Sequence, residues 1–137
     1  MLRSLKNSFL IFDIVKFYPS ITEQLLDEAI EFASTLTSIS ESEIYIIKHA
    51  KKTLLFHADT PWHKSNHEQL FDVNMGSYDG AETCELVGTF LLTKINHIFS
   101  NDVGLYRDDG LAVLRDHNPS QANRVAKDLN SVFKNTG

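Results

Sequence analysis

Apolar and polar positions along the chain alternate between strand-like and helix-like periods. Ser8 to Val15 is a dense apolar and aromatic run of strand length, broken only by Asp13, and it reads as a buried central strand. Lys16-Phe17-Tyr18-Pro19-Ser20-Ile21 follows, two aromatics running into a proline turn. Ser20 with Glu23 three residues on has the form of a capping box, and Leu25, Leu26, Ala29, Ile30, Phe32, Ala33 and Leu36 keep helical spacing, which predicts a helix over 22–36. Ser40 and Glu43 repeat the signal, and the stripe Ile44, Ile47, Ala50, Leu54, Leu55 predicts a second helix to about residue 56. Periodicity lapses between 57 and 70, where Pro61-Trp62 interrupts, and a loop is expected.

Leu70 to Met75 is a short strand candidate leading into Gly76-Ser77-Tyr78-Asp79-Gly80, and Ala81, Cys84, Val87, Gly88, Leu91, Ile95 and Ile98 then share a helical face over 81–99. Val103, Leu105 and the run Leu111 to Leu114 supply two antiparallel strands, with Asp108-Asp109-Gly110 as the predicted tight turn between them. Asn118-Pro119 offers an N-cap and a first-turn proline for a helix carrying Ala122, Val125, Ala126, Leu129, Val132 and Phe133, and Gly137 stands where a closing glycine is expected. Neither a repeat nor a linker divides the pattern, so one α+β unit is expected.

Composition narrows the reading. The chain has 137 residues, 42% of them hydrophobic, which suffices for a single core. No apolar run approaches the roughly 20 residues of a membrane span, and the basic N-terminus lacks the apolar stretch and small-residue cleavage site of a leader, so an intracellular protein without a membrane partner is expected. The lone Cys84 excludes an internal disulfide and agrees with a reducing compartment. A net charge of −5 argues against whole-surface attraction to nucleic acid, so any such contact must be local.

Several residues stand out as chemistry. An acid inside an apolar run is costly unless it closes the strand and caps a turn or meets a cation, and Asp13 is such an acid. Asp108 and Asp109 are adjacent carboxylates at a hairpin tip, either a solvated Asp-Gly turn or a pair of hard oxygen donors suited to Mg²⁺ or Mn²⁺. Gly76 and Gly80 permit close backbone approach to a ligand ahead of a helix start, although the Gly-Lys-Ser/Thr ending of a Walker loop is missing. Lys48, His49, Lys51 and Lys52 form a basic cluster that either touches a phosphate backbone or is a solvated helix end. His63 and His67 have a metal-like spacing, but nothing completes a tetrahedral set, and zinc is not expected. Cys84, with no neighbouring base, is expected to pack within its helix.

Three segments, taken together, resemble the palm motifs A, B and C of retroelement reverse transcriptases: Asp13-Ile14-Val15-Lys16-Phe17-Tyr18-Pro19-Ser20-Ile21, then Met75-Gly76-Ser77, then Tyr106-Arg107-Asp108-Asp109. Order and spacing carry the resemblance, which runs from Phe9 to about Phe133 and implies a polymerase palm, a small antiparallel sheet backed by helices. It implies RNA-directed DNA polymerase chemistry on an RNA or DNA template with primer and deoxynucleoside triphosphates. Two Mg²⁺ (or Mn²⁺) ions roughly 3.5 to 4 Å apart activate the primer hydroxyl and hold the triphosphate in such enzymes. By the same resemblance Asp13 and Asp108 bind both ions, Asp109 supports them and the Ile14 carbonyl is a further ligand. Ile14, Phe17 and Tyr18 are implied to line the nucleotide site, with Tyr18 matching the gate against a ribose 2′-hydroxyl; Asn74, Met75 and Gly76 match the loop along nucleotide and template; Tyr106 matches a position near the primer end.

The chain also departs from the family. Ser77-Tyr78-Asp79-Gly80-Ala81-Glu82 replaces the small and apolar residues that often follow the motif B glycine, and two acids there would repel a triphosphate unless they face away. Arg107 is a large basic residue at the variable motif C position. Basic fingers before Phe9 and a thumb after the last helix are lacking, so a partial domain, inactive in isolation, is expected. An RNA-templated RNA polymerase and a catalytically silent remnant that only binds a partner are the competing readings.

Overall fold

The computed structural model describes residues 7–52, 56–61, 71–99, 102–115 and 119–135. In chain order the elements are β1 (Asn7–Asp13), α1 (Phe17–Ser20), α2 (Glu23–Leu36), α3 (Glu41–Ala50), β2 (Phe56–His57), β3 (Thr60–Pro61), α4 (Gly80–Asn96), β4 (Val103–Tyr106), β5 (Asp109–Arg115) and α5 (Pro119–Asn135). Strands β1, β5 and β4 form an antiparallel sheet in that order, while β2 and β3 make a separate small hairpin. The architecture is α+β, as expected.

The sheet is two-faced. Leu10 and Phe12 of β1 and Gly110, Ala112 and Leu114 of β5 turn toward the core, where Ile95, Phe99, Leu129 and the apolar face of α5 close over them. Phe9, Ile11 and Asp13 turn the other way, with Phe9 68% and Ile11 79% exposed. β1 is therefore an edge strand, and β5 is the central one. An unbroken apolar run fits burial on both faces, but here alternate members of the run stay exposed. Gly110 is likewise a strand residue and no part of a turn. It pairs with Phe12, and a Cβ there would run into the Phe12 ring, so the glycine lets an aromatic lie across the neighbouring strand.

Helix α4 is the hub, touching α1, α2, α5 and β4. Its Cys84, Val87, Phe90 and Leu91 meet Leu25, Leu26, Ala29 and Ile30 of α2 in a second core cluster, which Phe17 of α1 and Val73 also enter. Thr22 caps α2, its hydroxyl accepting from the Leu25 amide at 3.1 Å. The sequence pointed instead to Ser20, whose hydroxyl bonds back to the Phe17 carbonyl at 2.8 Å inside α1. Ser40 and Glu43 form the capping box that their spacing predicts. Helix α3 stops at Ala50, short of residue 56, and Lys52 bridges to Phe71. Leu70 lies outside the described residues, and Phe71 makes only that bridge, so the short strand expected there is reduced to a single pairing. Trp62, His63, His67, Asn118 and Gly137 also lie outside the described residues.

Gly110→Ala tests the stacked glycine. Forcing a methyl group under the Phe12 ring is expected to cost about 1–3 kcal/mol in urea unfolding, the usual range for overpacking. A neutral result would mean that Phe12 does not lie over Gly110.

Candidate active site

The candidate site is built at one end of the sheet. The β1–β5 register sets Asp13 opposite Asp109, and the β4–β5 register sets Tyr106 opposite Asp109 from the other side. Just beyond the paired residues the Ile14 amide donates to the Asp108 carbonyl at 2.8 Å, which extends the pairing to the hairpin tip. Two segments far apart in sequence therefore deliver three acids to neighbouring positions. Asp13 and Asp109 share the open face, since both are exposed and directly paired residues in an antiparallel sheet point to the same side.

The tip itself differs from the Asp-Gly turn that the sequence suggests. With Tyr106 paired to Asp109, the two loop residues are Arg107 and Asp108. Arg107 has φ 56°, while Asp108 is not among the positive-φ residues. Of the two primed hairpin turns, the II′ form has a positive φ at its first position alone, a place that usually belongs to glycine. A non-glycine residue held there costs of order 1–3 kcal/mol, the kind of local strain found at functional sites. The Arg107 guanidinium packs over the Tyr106 ring at 5.3 Å, and its buried Nε has no hydrogen-bond partner among the described residues.

Tyr18 stands on α1, behind this tip. Lys16, at φ 57°, reverses the chain after β1 and starts the four-residue helix, so Phe17 enters the core and Tyr18 lies half-buried beside α4. Tyr18 packs against the buried cluster that contains Cys84, with its hydroxyl near the thiol. Burial, then the facing thiol, raises the Tyr18 pKa. Burial pushes Cys84 up from an ordinary 9.0 to about 11, against smaller opposing effects of Tyr18 and Arg107. Asp108 is near enough to act on both groups. Tyr18, the first turns of α4 and the Arg107–Asp108 tip thus lie near one another.

The Asn74–Gly80 loop leads into the same end of α4. Gly76 has φ 94°, which only glycine adopts readily, and the space where its Cβ would stand is open. Asn74, Met75 and Gly76 are exposed, as a ligand-facing loop requires. Gly80 is buried, and a Cβ there would meet the Asn74 carbonyl at 2.5 Å. Asp79 precedes α4 but does not cap it with its side chain; the carboxylate pairs with Lys51 at 2.5 Å. Its charge is therefore answered from inside the protein.

The basic cluster at the end of α3 is largely consumed by such pairs. Lys48 binds Asp27 at 2.8 Å and Glu23 at 3.3 Å, His49 stacks on Tyr45, and Lys51 is 1% exposed, which leaves Lys52 exposed. The cluster is therefore neither a uniformly solvated helix end nor a set of four free cations. The burial of Lys51 was invisible in the sequence, because the residue sits among solvated cations and its partner is far away along the chain. The Tyr18–Cys84 contact had no local signal either.

Carboxylate oxygens and the Ile14 carbonyl are the hard donors that Mg²⁺ or Mn²⁺ takes. The backbone brings Asp13, Asp108 and Asp109 together, yet among the described residues no group of three or more His, Cys, Asp or Glu side chains stands close enough to hold a metal ion. Among those residues, too, no helix is long and apolar enough to cross a membrane.

Raised folded-state pKa values carry a pH signature. The stability contributed by the neutral Cys84 thiol is whole below about pH 9 and is lost as pH climbs through about 11. Alkylation of Cys84 by iodoacetamide at pH 8 is expected only through unfolding, and Cys84→Ala should flatten the alkaline loss of stability. Rapid labelling of the folded chain would show that the thiol is open.

Comparison with protein-family models, with curated proteins and with solved structures found no match for this chain.

Proposed function

We propose that the chain is the palm of a reverse transcriptase-like nucleotidyltransferase, with Asp13, Asp108 and Asp109 as its metal-binding acids and deoxynucleoside triphosphates as substrates. The observation that carries the reading is the β1–β5 register, which brings Asp13 opposite Asp109 beside the Asp108 tip. Like charges set directly opposite each other in a sheet are unfavourable, and no ion pair answers any of the three among the described residues. A divalent cation would answer them. Asp13, Asp108, Asp109 and the Ile14 carbonyl would hold such ions, whose chemistry would be activation of a primer hydroxyl and stabilisation of a departing pyrophosphate.

The protein's own residues supply the rest. Tyr18, near Cys84 and the tip, would crowd a 2′-hydroxyl; the open turn at Gly76 would offer backbone to a nucleotide; Tyr106 exposes its ring beside Asp109. The pairing of Asp79 with Lys51 removes one of the two charges that would repel a triphosphate.

Metal binding can be read without turnover. Mn²⁺ is expected to broaden the amide resonances of Asp13, Ile14, Asp108 and Asp109 before any others, and saturating Mg²⁺ at about 100 times its Kd to stabilise the fold by about 2.7 kcal/mol. Asp108→Asn should remove most of both effects while leaving the fold intact. Broadening scattered over the surface, or sparing Asp13, would sink the proposal. In the reading frame that carries the chain, Asp108→Asn is expected to abolish primer extension on RNA, and Tyr18→Ala to raise ribonucleotide incorporation. An unchanged ribonucleotide preference would favour an RNA polymerase, and extension by Asp108→Asn would refute the metal assignment.

A further inference from the structure

Lys51 is a large side chain with a full charge and almost no solvent. Burying an ammonium is costly unless it is paired and hydrogen-bonded, so its position calls for a reason. It has one at each end of the loop that carries Gly76. The Lys51 carbonyl accepts from the Asp72 amide at 2.8 Å, at the loop's entrance. The Lys51 ammonium crosses to the loop's exit, where it pairs with the Asp79 carboxylate at 2.5 Å and reaches the Asp79 carbonyl at 3.5 Å. One residue thus holds both ends of the segment from Asp72 to Asp79.

What lies between those ends is otherwise lightly tied. Ser77 N–H to the Asn74 carbonyl and Gly80 N–H to the Ser77 carbonyl, both 3.2 Å, close two turns, and the Ser77 hydroxyl adds a bond to the Asn74 carbonyl at 2.9 Å. Asn74, Met75, Gly76, Ser77 and Tyr78 are all exposed, and within the loop only Val73 is buried in the core. The Asp79 carbonyl that Lys51 approaches also accepts from the Thr83 amide at 3.0 Å and the Thr83 hydroxyl at 2.8 Å, so the clamp is continuous with the first turn of α4.

We propose that Lys51 is a positioning residue, clamping the two ends of the Asp72–Asp79 segment so that the open Gly76 turn is held ready for a nucleotide and the Asp79 charge is cancelled as the anion approaches. The nucleotide in that statement rests on the polymerase reading; the clamp does not. Lys51 does not touch the ligand in this arrangement. Loss of its ammonium frees the loop exit and leaves the Asp79 carboxylate facing a triphosphate without a counter-charge.

Hydrogen exchange on the full chain decides the clamp. In Lys51→Met the amides of Ser77 and Gly80 are expected to exchange at least about tenfold faster, the change that about 1.4 kcal/mol of opening free energy produces. Amides of β5 and the middle of α2 should keep their rates. The double variant Lys51→Met with Asp79→Leu leaves no charge to bury, so it guards against simple unfolding, and its loop amides are expected to stay fast. Lys51→Arg should keep them slow. Protection restored in the double variant, or acceleration equal at every amide, would overturn the clamp and leave only a buried-charge effect. Titration with Mg²⁺-dATP reads the second half: weaker binding is expected in Lys51→Met, with binding recovered in Lys51→Arg. Wild-type protein that binds no dATP would overturn the nucleotide reading while the exchange data still judge the clamp.

Discussion

The candidate site depends on the register in which β1 pairs with β5. Side chains alternate along a strand, so a slip of one residue would carry Asp13 from the open face to the core and expose Phe12 in its place. Phe12 stacked over Gly110 and Leu10 paired with Ala112 give the register a cost for slipping, since a Cβ opposite Phe12 would run into its ring as it lies here. The acids are thus aligned by apolar packing on the opposite side of the same strands. The placement of the acids is set by the core and only displayed at the surface.

Helix α4 extends that order to the rest of the site. Its middle is the shared wall of the core, against α2 on one side and β4 on another, and its first turns carry Gly80, Thr83 and Cys84. Cys84 meets Tyr18; Asp79 meets Lys51; Gly80 sits against the Asn74 carbonyl. Tyr18 and the Gly76 loop are consequently referred to one element, and the hairpin tip lies close enough for Arg107 and Asp108 to influence both Tyr18 and Cys84.

Much of this fold was legible because its signals are local. The Ser40–Glu43 box, the stripes of α2, α4 and α5, and the alternation of β5 each depend on residues within a few positions of one another. The order of the acids and of Gly76 was legible too, as a pattern. What failed was long-range. The apolar run of β1 does not say that only one of its faces is covered, and that depends on where α5 lies. Asp109-Gly110 has the chemistry of a turn, but the pairing of Tyr106 with Asp109 moves the tip back by a residue or two, onto Arg107. The helix stripe ran past Ala50 because apolar residues continue, whereas the chain actually breaks away there and buries Lys51.

Strain and uncompensated charge accumulate in the same few residues. Arg107 sits at a turn position that suits glycine, its guanidinium turned toward the Tyr106 ring with one buried nitrogen unpartnered among the described residues. Asp13 and Asp109 face each other on the exposed side of the sheet. Both features oppose folding, and a sequence under selection for stability alone would remove them by Arg107→Gly and Asp13→Asn. The fold keeps them at the end where Tyr18, α4 and the Gly76 loop meet, and the α2–α4 core supplies the stability that offsets them. On the proposed reading, a divalent cation held by Asp13, Asp108 and Asp109 would add its own attraction to each carboxylate and relieve the repulsion between the paired ones.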